Sequence, residues 1–167
     1  MSTLPTTPLS TTSKSTEQAL GRISSGLYIL TLGQGPQATG MLASWVQQCS
    51  FDPPALSVAI GCNRPILSQL TPGAKVVVNI LGEGQRDYVA HFGKGVEPGD
   101  SAFAGLPVTL NSSGLPVLTG TLAHLECVVE SQTQAGDHVL LVLRVIGGAV
   151  HHDGKPAYHS RKSGMHY

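Results

Sequence analysis

Charged residues are scarce in this chain, and neither sign prevails. Lysine and arginine number 10, aspartate and glutamate also number 10, and together they make up only 12% of the 167 residues. Proteins that bind nucleic acids or anionic membranes carry a basic patch or an excess of positive charge. The balance therefore excludes polyanions as the expected partners.

Long apolar runs are absent as well, and cysteine is rare. No run approaches the ~20 residues that cross a bilayer, and the N-terminus lacks the apolar segment of a signal peptide. The three cysteines, at positions 49, 62 and 127, are an odd number at wide spacing. This argues against a disulfide framework or a thiolate zinc site and is typical of a reducing compartment. The sequence therefore predicts a cytoplasmic protein without membrane insertion.

Aromatic residues are also few, at 5% with a single tryptophan, whereas 20 glycines and 11 prolines separate short Val- and Leu-rich runs. This composition favours a β-rich fold over a helical bundle. Residues 1–16 are mostly Ser, Thr and Pro, which predicts a disordered tail or interdomain linker. One folded domain is expected over residues 17–167.

Hydrophobic patterning predicts a split or closed β-barrel with a few short peripheral helices. The expected strands cover residues 27–32, 55–60, 75–81, 121–130 and 138–146, and the last of these is expected to be central. A first helix is expected to begin at Ser15 or Thr16, a second after Asn63 as N-cap with Pro65 at its first position, and a third over 87–92.

The stretch 39–54 combines small residues, hydroxyl groups and the only tryptophan, Trp45. Small residues allow a ligand to approach the backbone, and an indole offers an apolar plane. One strand later, Asn63 and Arg64 stand before a predicted helix start, where amides and a guanidinium favour a phosphate. The combination suits a flat ligand with an anionic tail. The alternatives are an ordinary corner with a half-buried tryptophan, and a solvated arginine.

Three other chemistries fit the residues poorly. Residues 33–38 match a loose G-x-G-x-x-A dinucleotide pattern, but a β-like run follows where that pattern needs a helix. The histidines at 151, 152, 159 and 166 lack metal-ligand spacing with a carboxylate partner. No G-x-S-x-G elbow marks a hydrolase. No resident metal is therefore expected.

The ordered motifs resemble the flavin reductase-like split-barrel family. They are Gly40-Met41-Leu42-Ala43-Ser44-Trp45, Ser50-Phe51-Asp52-Pro53-Pro54, Asn63-Arg64, Val78-Asn79-Ile80-Leu81, Leu125-Glu126-Cys127 and Gly136-Asp137-His138. The further motifs Gly26-Leu27-Tyr28, Pro98-Gly99-Asp100 and 161–167 are similar to the C-terminal flavin reductase module of cyanobacterial-type flavodiiron proteins. The resemblance begins near Leu20 and reaches the end of the chain.

That resemblance implies an NAD(P)H:flavin oxidoreductase module that binds FMN and accepts a hydride from NADH or NADPH at flavin N5. It also implies a homodimer, and transfer of the electrons to an upstream diiron and flavodoxin-like core that reduces oxygen. No catalytic side chain is required, because the flavin itself accepts the hydride. The alternative is a non-catalytic flavin-binding or docking domain.

The resemblance further implies which residues form the site. The flavin and its phosphate are expected to contact Met41, Leu42, Ala43, Ser44, Trp45, Ser50, Asn63, Arg64, Phe92 and Lys94, and the nicotinamide is expected to contact His138, Tyr158 and His159. The chain departs from the family pattern at Cys62 and Glu97, where basic residues are common. Because a charge-assisted bond to the phosphate is lost with each, weaker FMN binding is expected.

Overall fold

The computed structural model describes residues 12–166, which form two compact units, residues 12–24 with 159–166 and residues 25–158. Most of the predicted tail, residues 1–11, lies outside the described residues. The strands are β1 (Ser25–Gly26), β2 (Tyr28–Leu32), β3 (Thr39–Ala43), β4 (Val46–Phe51), β5 (Pro54–Gly61), β6 (Lys75–Ile80), β7 (Val108–Leu110), β8 (Pro116–Leu118), β9 (Ala123–Ala135), β10 (His138–Val150) and β11 (Tyr158–His159). The α-helices are α1 (Lys14–Gly21) and α2 (Arg86–Gly93), and 3₁₀ helices cover Gly35–Gln37, Pro65–Gln69 and Asp100–Phe103.

Helix α1 of the smaller unit begins earlier than the sequence pattern predicts. Its N-cap is Ser13, whose Oγ accepts a hydrogen bond from the backbone N–H of Thr16 at 3.2 Å. The predicted N-caps, Ser15 and Thr16, are therefore wrong, because both lie inside the first turn. An N-cap hydroxyl accepts from the backbone N–H of the second or third helical residue, and Ser13 lies three residues before Thr16.

The C-terminal residues of the smaller unit run along α1. The backbone N–H of Arg161 donates to Gly21 O at 3.0 Å, and that of Gly164 donates to Glu17 O at 2.7 Å. A Cβ on Gly21 would lie 2.5 Å from Arg161 O, and one on Gly164 only 2.1 Å from Leu20 Cβ. Glycine at both positions is what allows the two segments to approach so closely.

The larger unit is organised by a seven-stranded sheet in the order β3-β2-β6-β9-β10-β5-β4, antiparallel throughout. Only Ser44 and Trp45 separate β3 from β4, although these strands stand at opposite ends of the order. The link spans at most about 11 Å, whereas seven strands lying flat would place the end strands about 29 Å apart. The sheet must therefore curl. Within residues 12–166, β3 and β4 form no ladder with each other, so the barrel is split, as predicted.

Alternate residues of the strands fill the interior of the curled sheet. The main buried cluster comprises Leu30, Leu32, Ala43, Val46, Leu56, Val58, Ile60, Ile66, Leu70, Val76, Val78, Cys127, Val129, Leu141 and Leu143. The opposite face of β2 belongs to a second cluster, in which Ile29 packs with Tyr88 and Phe92 of α2. Because successive side chains of a strand point to opposite faces, Ile29 lies on the outer face of β2, where α2 covers it.

The hairpin formed by β9 and β10 is longer than predicted and its turn is shorter. The sequence pattern predicts a turn over residues 134–137, whereas both strands have 13 residues and only Gly136 and Asp137 separate them. The middle strand of the seven is β9 rather than β10. β10 is nevertheless an interior strand as predicted, paired with β9 on one side and β5 on the other. Of its residues, Leu141 and Leu143 are buried, whereas residues 146–150 are exposed.

Two segments that precede short helices were interpreted from the sequence, and the structure changes the interpretation of the first. Asn63 is not an N-cap, because the helix that follows is the 3₁₀ helix Pro65–Gln69, which begins after Arg64 and has no side-chain cap. Pro65 does occupy its first position. The 3₁₀ helix Gly35–Gln37 leads directly into β3, which confirms the rejection of a dinucleotide-binding turn at residues 33–38.

Both α-helices are short, with eight residues each. In the part of the chain that the structure describes, no helix has the length and apolarity needed to cross a membrane.

Candidate functional site

The turn before β10 and the segment after β5 lie side by side. His138 pairs with Gly61 across the two strands, and the backbone N–H of Cys62 donates to Asp137 O at 2.9 Å. Gly136 has a φ of +62°, the left-handed conformation that a two-residue hairpin turn requires. Backbone geometry thus places His138 beside the two residues predicted to bind a phosphate.

Three of the predicted site residues converge above Gly61. A Cβ on Gly61 would lie 3.0 Å from Asn63 Oδ1, 3.8 Å from His138 Nε2 and 3.9 Å from Arg64 Cγ. Glycine therefore keeps open a small space that any side chain would fill. Asn63 and Arg64 are exposed, so this space faces solvent.

Trp45 adjoins the same histidine. The ring centroids of Trp45 and His138 are 4.6 Å apart, with an angle of 38° between their planes. The carbonyl oxygen of Trp45 accepts a hydrogen bond from the backbone N–H of Ala59 at 3.0 Å, which ties the β3–β4 corner to β5. The structure thus brings Trp45 and His138 together at the corner where the sheet is split.

His138 has a charged neighbour in the hairpin turn. Its Nδ1 lies 2.7 Å from Asp137 Oδ1, and the side chain of His138 is 13% exposed whereas that of Asp137 is 94% exposed. The hydrogen bond from His138, together with the attraction between the two charged forms, lowers the pKa of the Asp137 carboxyl below its ordinary value. Asp137 is therefore ionised at neutral pH.

The residues of β3 lead to this corner along alternate faces of the sheet. Met41 packs against the main core, Leu42 against the cluster that includes α2, and Ala43 is buried. Ser44 follows and is half-buried. Since Met41 and Leu42 point to opposite faces, their side chains cannot both line one ligand.

Three predicted contacts of the flavin lie elsewhere in the chain. Ser50 pairs with Ala55 at the far end of β5 from Gly61, about 20 Å away at the rise of an extended strand. Phe92 is 1% exposed and belongs to the second core cluster. Lys94 is the exposed C-cap of α2. Ser50 and Phe92 therefore stand outside the group formed around His138.

The remaining predicted contacts are exposed. Tyr158 is 72% exposed and lines a cavity of about 270 Å³ with Leu27, Arg86 and Val89 among others. His159 is exposed and belongs to the smaller unit. The contribution of both to a nicotinamide site stays a prediction.

The sequence analysis did not identify Gly61 and Asp137 as neighbours of the predicted site residues. Asp137 stands directly before His138 in the Gly136-Asp137-His138 motif, so its adjacency was a usable signal. Gly61 gave no signal of its own, because its importance depends on the pairing with β10 and on the side chains that gather above it.

A second group of histidines lies at the other end of the β9–β10 hairpin. His124 Nδ1 and His151 Nε2 are 2.9 Å apart, and His152 Nε2 donates to Thr119 O at 2.9 Å. No group of three or more His, Cys, Asp or Glu side chains within residues 12–166 has an arrangement that could hold a metal ion.

Comparison with known proteins identifies the family. Residues 20–165 match the model described as the flavin reductase like domain. The chain belongs to that family. It is 44% identical over 153 residues to the putative diflavin flavoprotein A 3 of Synechocystis sp., covering 91% of this chain and 26% of that protein. Diflavin flavoprotein A 1 of the same organism is also 44% identical, with 90% and 27% covered. The chain thus spans about a quarter of the length of these relatives.

Solved structures show the same fold. The NADH:FAD oxidoreductase SgcE6 of Streptomyces globisporus is 26% identical with a TM-score of 0.74, covering 86% of this chain and 80% of that one. The styrene monooxygenase flavin reductase of Pseudomonas putida S12 is 29% identical with a TM-score of 0.71, covering 86% and 90%. The predicted resemblance to flavin reductases is confirmed.

Proposed function

We propose that this chain is an NAD(P)H:flavin oxidoreductase module that binds FMN. The observation that carries the proposal is the convergence of Trp45, Asn63, Arg64 and His138 around Gly61 in a member of the flavin reductase-like family. An apolar aromatic plane, an exposed guanidinium and a space kept open by glycine suit a flat, anionic nucleotide. The names of the related NADH:FAD oxidoreductase and styrene monooxygenase flavin reductase support a flavin and a nicotinamide nucleotide as the ligands.

The side chains around Gly61 differ in the part of the flavin that each can contact. Asn63 carries an amide acceptor, Oδ1, and two N–H donors, so its exposed side chain can donate to the phosphate end of the flavin. We assign the phosphate to the guanidinium of Arg64, which reaches beyond the Cγ atom near Gly61. Trp45 covers one side of the ring system, and Met41, Leu42, Ala43 and Ser44 contribute backbone groups of the same corner.

A bound flavin supplies the hydride acceptor, at its N5 atom. The residues of this chain then bind and orient the two nucleotides and keep water from the corner. No proton transfer by a side chain is required for the hydride step, so none of the residues is assigned a catalytic role.

We also propose a homodimer, a cytoplasmic location and electron transfer to an upstream diiron and flavodoxin-like core. The length of the diflavin relatives, of which this chain covers 26–27%, supports further domains in the complete protein. The location is supported by the three free cysteines, two of them exposed.

Stopped-flow absorbance tests the activity. The chain is first titrated with FMN or FAD to establish binding, and the bound flavin is then mixed anaerobically with NADH or NADPH. We expect bleaching of the flavin well above the rate of the free cofactor, with FMN bound more tightly than FAD. Binding without reduction by either nucleotide would support the alternative, a non-catalytic flavin-binding domain, and absence of binding would refute both.

A further inference from the structure

A broad groove opens in the larger unit beside the 3₁₀ helix Pro65–Gln69, whose last residue lines it. Its volume is about 1010 Å³. The apolar part of its lining consists of Leu32 and Leu115, which are 1% and 6% exposed. A cavity of this size is large enough to hold a nucleotide.

Lys75 gives this groove a positive charge. Among the described residues that line the groove, it is the one ionisable side chain. Its Nζ atom donates to Ser113 Oγ at 2.8 Å, and it forms no ion pair with a described carboxylate. Because an ammonium group has three N–H donors, two of them stay available to an anionic ligand.

The hydroxyl that orients Lys75 belongs to a well-anchored loop. The backbone N–H of Ser113 donates to Asn111 Oδ1 at 3.0 Å, and its backbone carbonyl accepts from Gln34 Nε2 at 2.6 Å. The loop between β7 and β8 is thus tied to the turn after β2. Both segments line the groove, so the ammonium group is held at a defined place in its wall.

Glutamine amides form much of the remaining polar lining. The side chains of Gln37 and Gln69 bond no other described residue. Each amide offers an acceptor and two donors, the pattern that pairs with N6–H and N7 on the edge of adenine. Residues 33–38 thus contribute side-chain amides to this groove, although they do not form the helix-based turn of a dinucleotide fold.

The 3₁₀ helix connects this groove to the corner around Gly61. Arg64 is the N-cap of the helix, and Gln69 at its other end lines the groove. Five residues of 3₁₀ helix rise about 10 Å. A nicotinamide dinucleotide contains two riboses joined by a pyrophosphate and extends further than this. A dinucleotide bound at the corner can therefore reach the groove with its adenosine end.

We propose that this groove binds the adenosine end of the nicotinamide dinucleotide, and that Lys75 contacts its 2′-phosphate and makes NADPH the preferred hydride donor. The inference rests on the proposed function. An acidic side chain in the lining would instead favour the free ribose hydroxyl of NADH. The described lining offers an ammonium group and no carboxylate, which matches a phosphate at that position.

Adenosine fragments test the groove without the hydride step. The ¹⁵N-labelled full chain is titrated with 2′,5′-ADP, with 5′-AMP and with inorganic phosphate, and ¹H–¹⁵N NMR gives each affinity. We expect 2′,5′-ADP to bind at least about tenfold more tightly than 5′-AMP in the wild type, and Lys75→Gln to remove the difference. Lys75→Arg keeps the charge and should keep the preference. Lys155→Gln, at an exposed lysine outside the groove, is the control.

Steady-state kinetics test the preference for the hydride donor. A contact made throughout the reaction stabilises ground state and transition state equally, so its loss raises KM while kcat is retained. We expect Lys75→Gln to raise KM for NADPH at least about tenfold. KM for NADH should stay within about twofold of wild type, because NADH has no 2′-phosphate. Near-UV circular dichroism confirms that the variant is folded.

The two measurements separate failure of this inference from failure of the proposed function. Equal affinities for 2′,5′-ADP and 5′-AMP in the wild type, or a preference that survives in Lys75→Gln, overturn the inference whether or not the chain is active. Inorganic phosphate bound as tightly as 2′,5′-ADP overturns the adenosine subsite. An unchanged KM for NADPH in Lys75→Gln overturns the role in donor choice. If the wild type oxidises neither nucleotide, the proposed function and the role in donor choice both fail, and the titration alone decides whether the groove binds an adenosine 2′-phosphate.

Discussion

Arg64 is the residue on which the phosphate assignment depends. Its side chain is exposed beside the space above Gly61. We expect Arg64→Ala to weaken FMN binding about tenfold or more, because a charge-assisted hydrogen bond is lost. Riboflavin has no phosphate, so its affinity should stay unchanged. Titrations by flavin fluorescence measure both affinities, with Arg86→Ala as the control at the exposed start of α2. An equal loss for riboflavin would contradict the assignment.

Asn79 illustrates a motif residue whose role is structural. It is fully buried, its Nδ2 donates to Ile29 O and Thr31 Oγ1 at 3.0 Å each, and its Oδ1 accepts from the backbone N–H of Leu118 at 2.9 Å. The amide thus joins β6 to β2 and β8. Part of the motif that carries the family resemblance therefore stabilises the fold rather than the ligand.

We expect Asn79→Ala to lower the free energy of unfolding by about 3 kcal/mol, because it removes the hydrogen-bond partner of buried polar groups on β2 and β8. The exposed Asn63→Ala should cost less than about 0.5 kcal/mol. Urea denaturation compares the two variants. A similar small effect of both would show that the Asn79 network contributes little.

At the scale of elements, the contact between β3 and α2 depends on a glycine. A Cβ on Gly40 would lie 2.6 Å from the ring of Phe92, which is itself enclosed in the second core cluster. A Cβ on Gly93 would meet only Leu42, at an ordinary 3.5 Å. Two glycines at one interface thus differ sharply in the space around them.

We expect Gly40→Ala to destabilise the fold by about 1–3 kcal/mol through overpacking. Gly93→Ala, at the last residue of α2, is expected to be neutral or to stabilise the fold by up to about 1 kcal/mol through helix propensity. Thermal unfolding followed by circular dichroism checks both changes. Equal effects of the two substitutions would contradict the packing argument.

The paired imidazoles of His124 and His151 close the end of the β9–β10 hairpin opposite the site. Burial, and then the proximity of His124 and His152, lower the pKa of His151. Glu126 is the acidic neighbour, 3.8 Å from His124 Nε2, and its other oxygen accepts from Asn111 at 2.9 Å. The folded state therefore binds a proton at His151 less readily than the unfolded chain does.

Since the unfolded state binds more protons in this range, stability rises with pH. The contribution of neutral His151 is complete above the ordinary histidine pKa of about 6.5 and decreases as the pH falls below it. We expect the free energy of unfolding to fall more steeply between about pH 7 and pH 5 in the wild type than in His151→Asn. His166→Asn, at an exposed histidine, is the control. Parallel curves for wild type and His151→Asn would contradict this prediction.

At the scale of the whole molecule, the split sheet leaves an end strand that invites association. β4 pairs with β5 alone among the described strands, and Phe51 at its end is 90% exposed. Exposed strand edges and apolar side chains are commonly covered by a second copy. We expect sedimentation equilibrium to give twice the chain mass of 17.4 kDa.

If β4 lies in the dimer interface, Phe51→Lys should raise the dimer dissociation constant at least about tenfold. Leu110→Lys changes a comparably exposed apolar residue, 68% exposed on β7, and should leave the dimer intact. A monomer at all concentrations would contradict the homodimer, and equal effects of the two variants would place the interface elsewhere.

Local patterns were sufficient to predict the β-rich fold, the presence of a hairpin turn before His138 and Pro65 at the start of its helix. Each depends on the conformations and period of neighbouring residues, which the sequence contains directly. The order of motifs was likewise sufficient for the family, because it is a property of the linear chain.

Which residues meet was decided only by the tertiary structure. Registry between β5 and β10 places Asp137 and His138 beside Gly61, and the same registry leaves Ser50 about 20 Å away. These pairings are set by how strands distant in sequence pack their buried faces together. No local pattern encodes that choice, and for this reason the sequence alone did not show that His138 lies beside Gly61 or that Ser50 lies far from it.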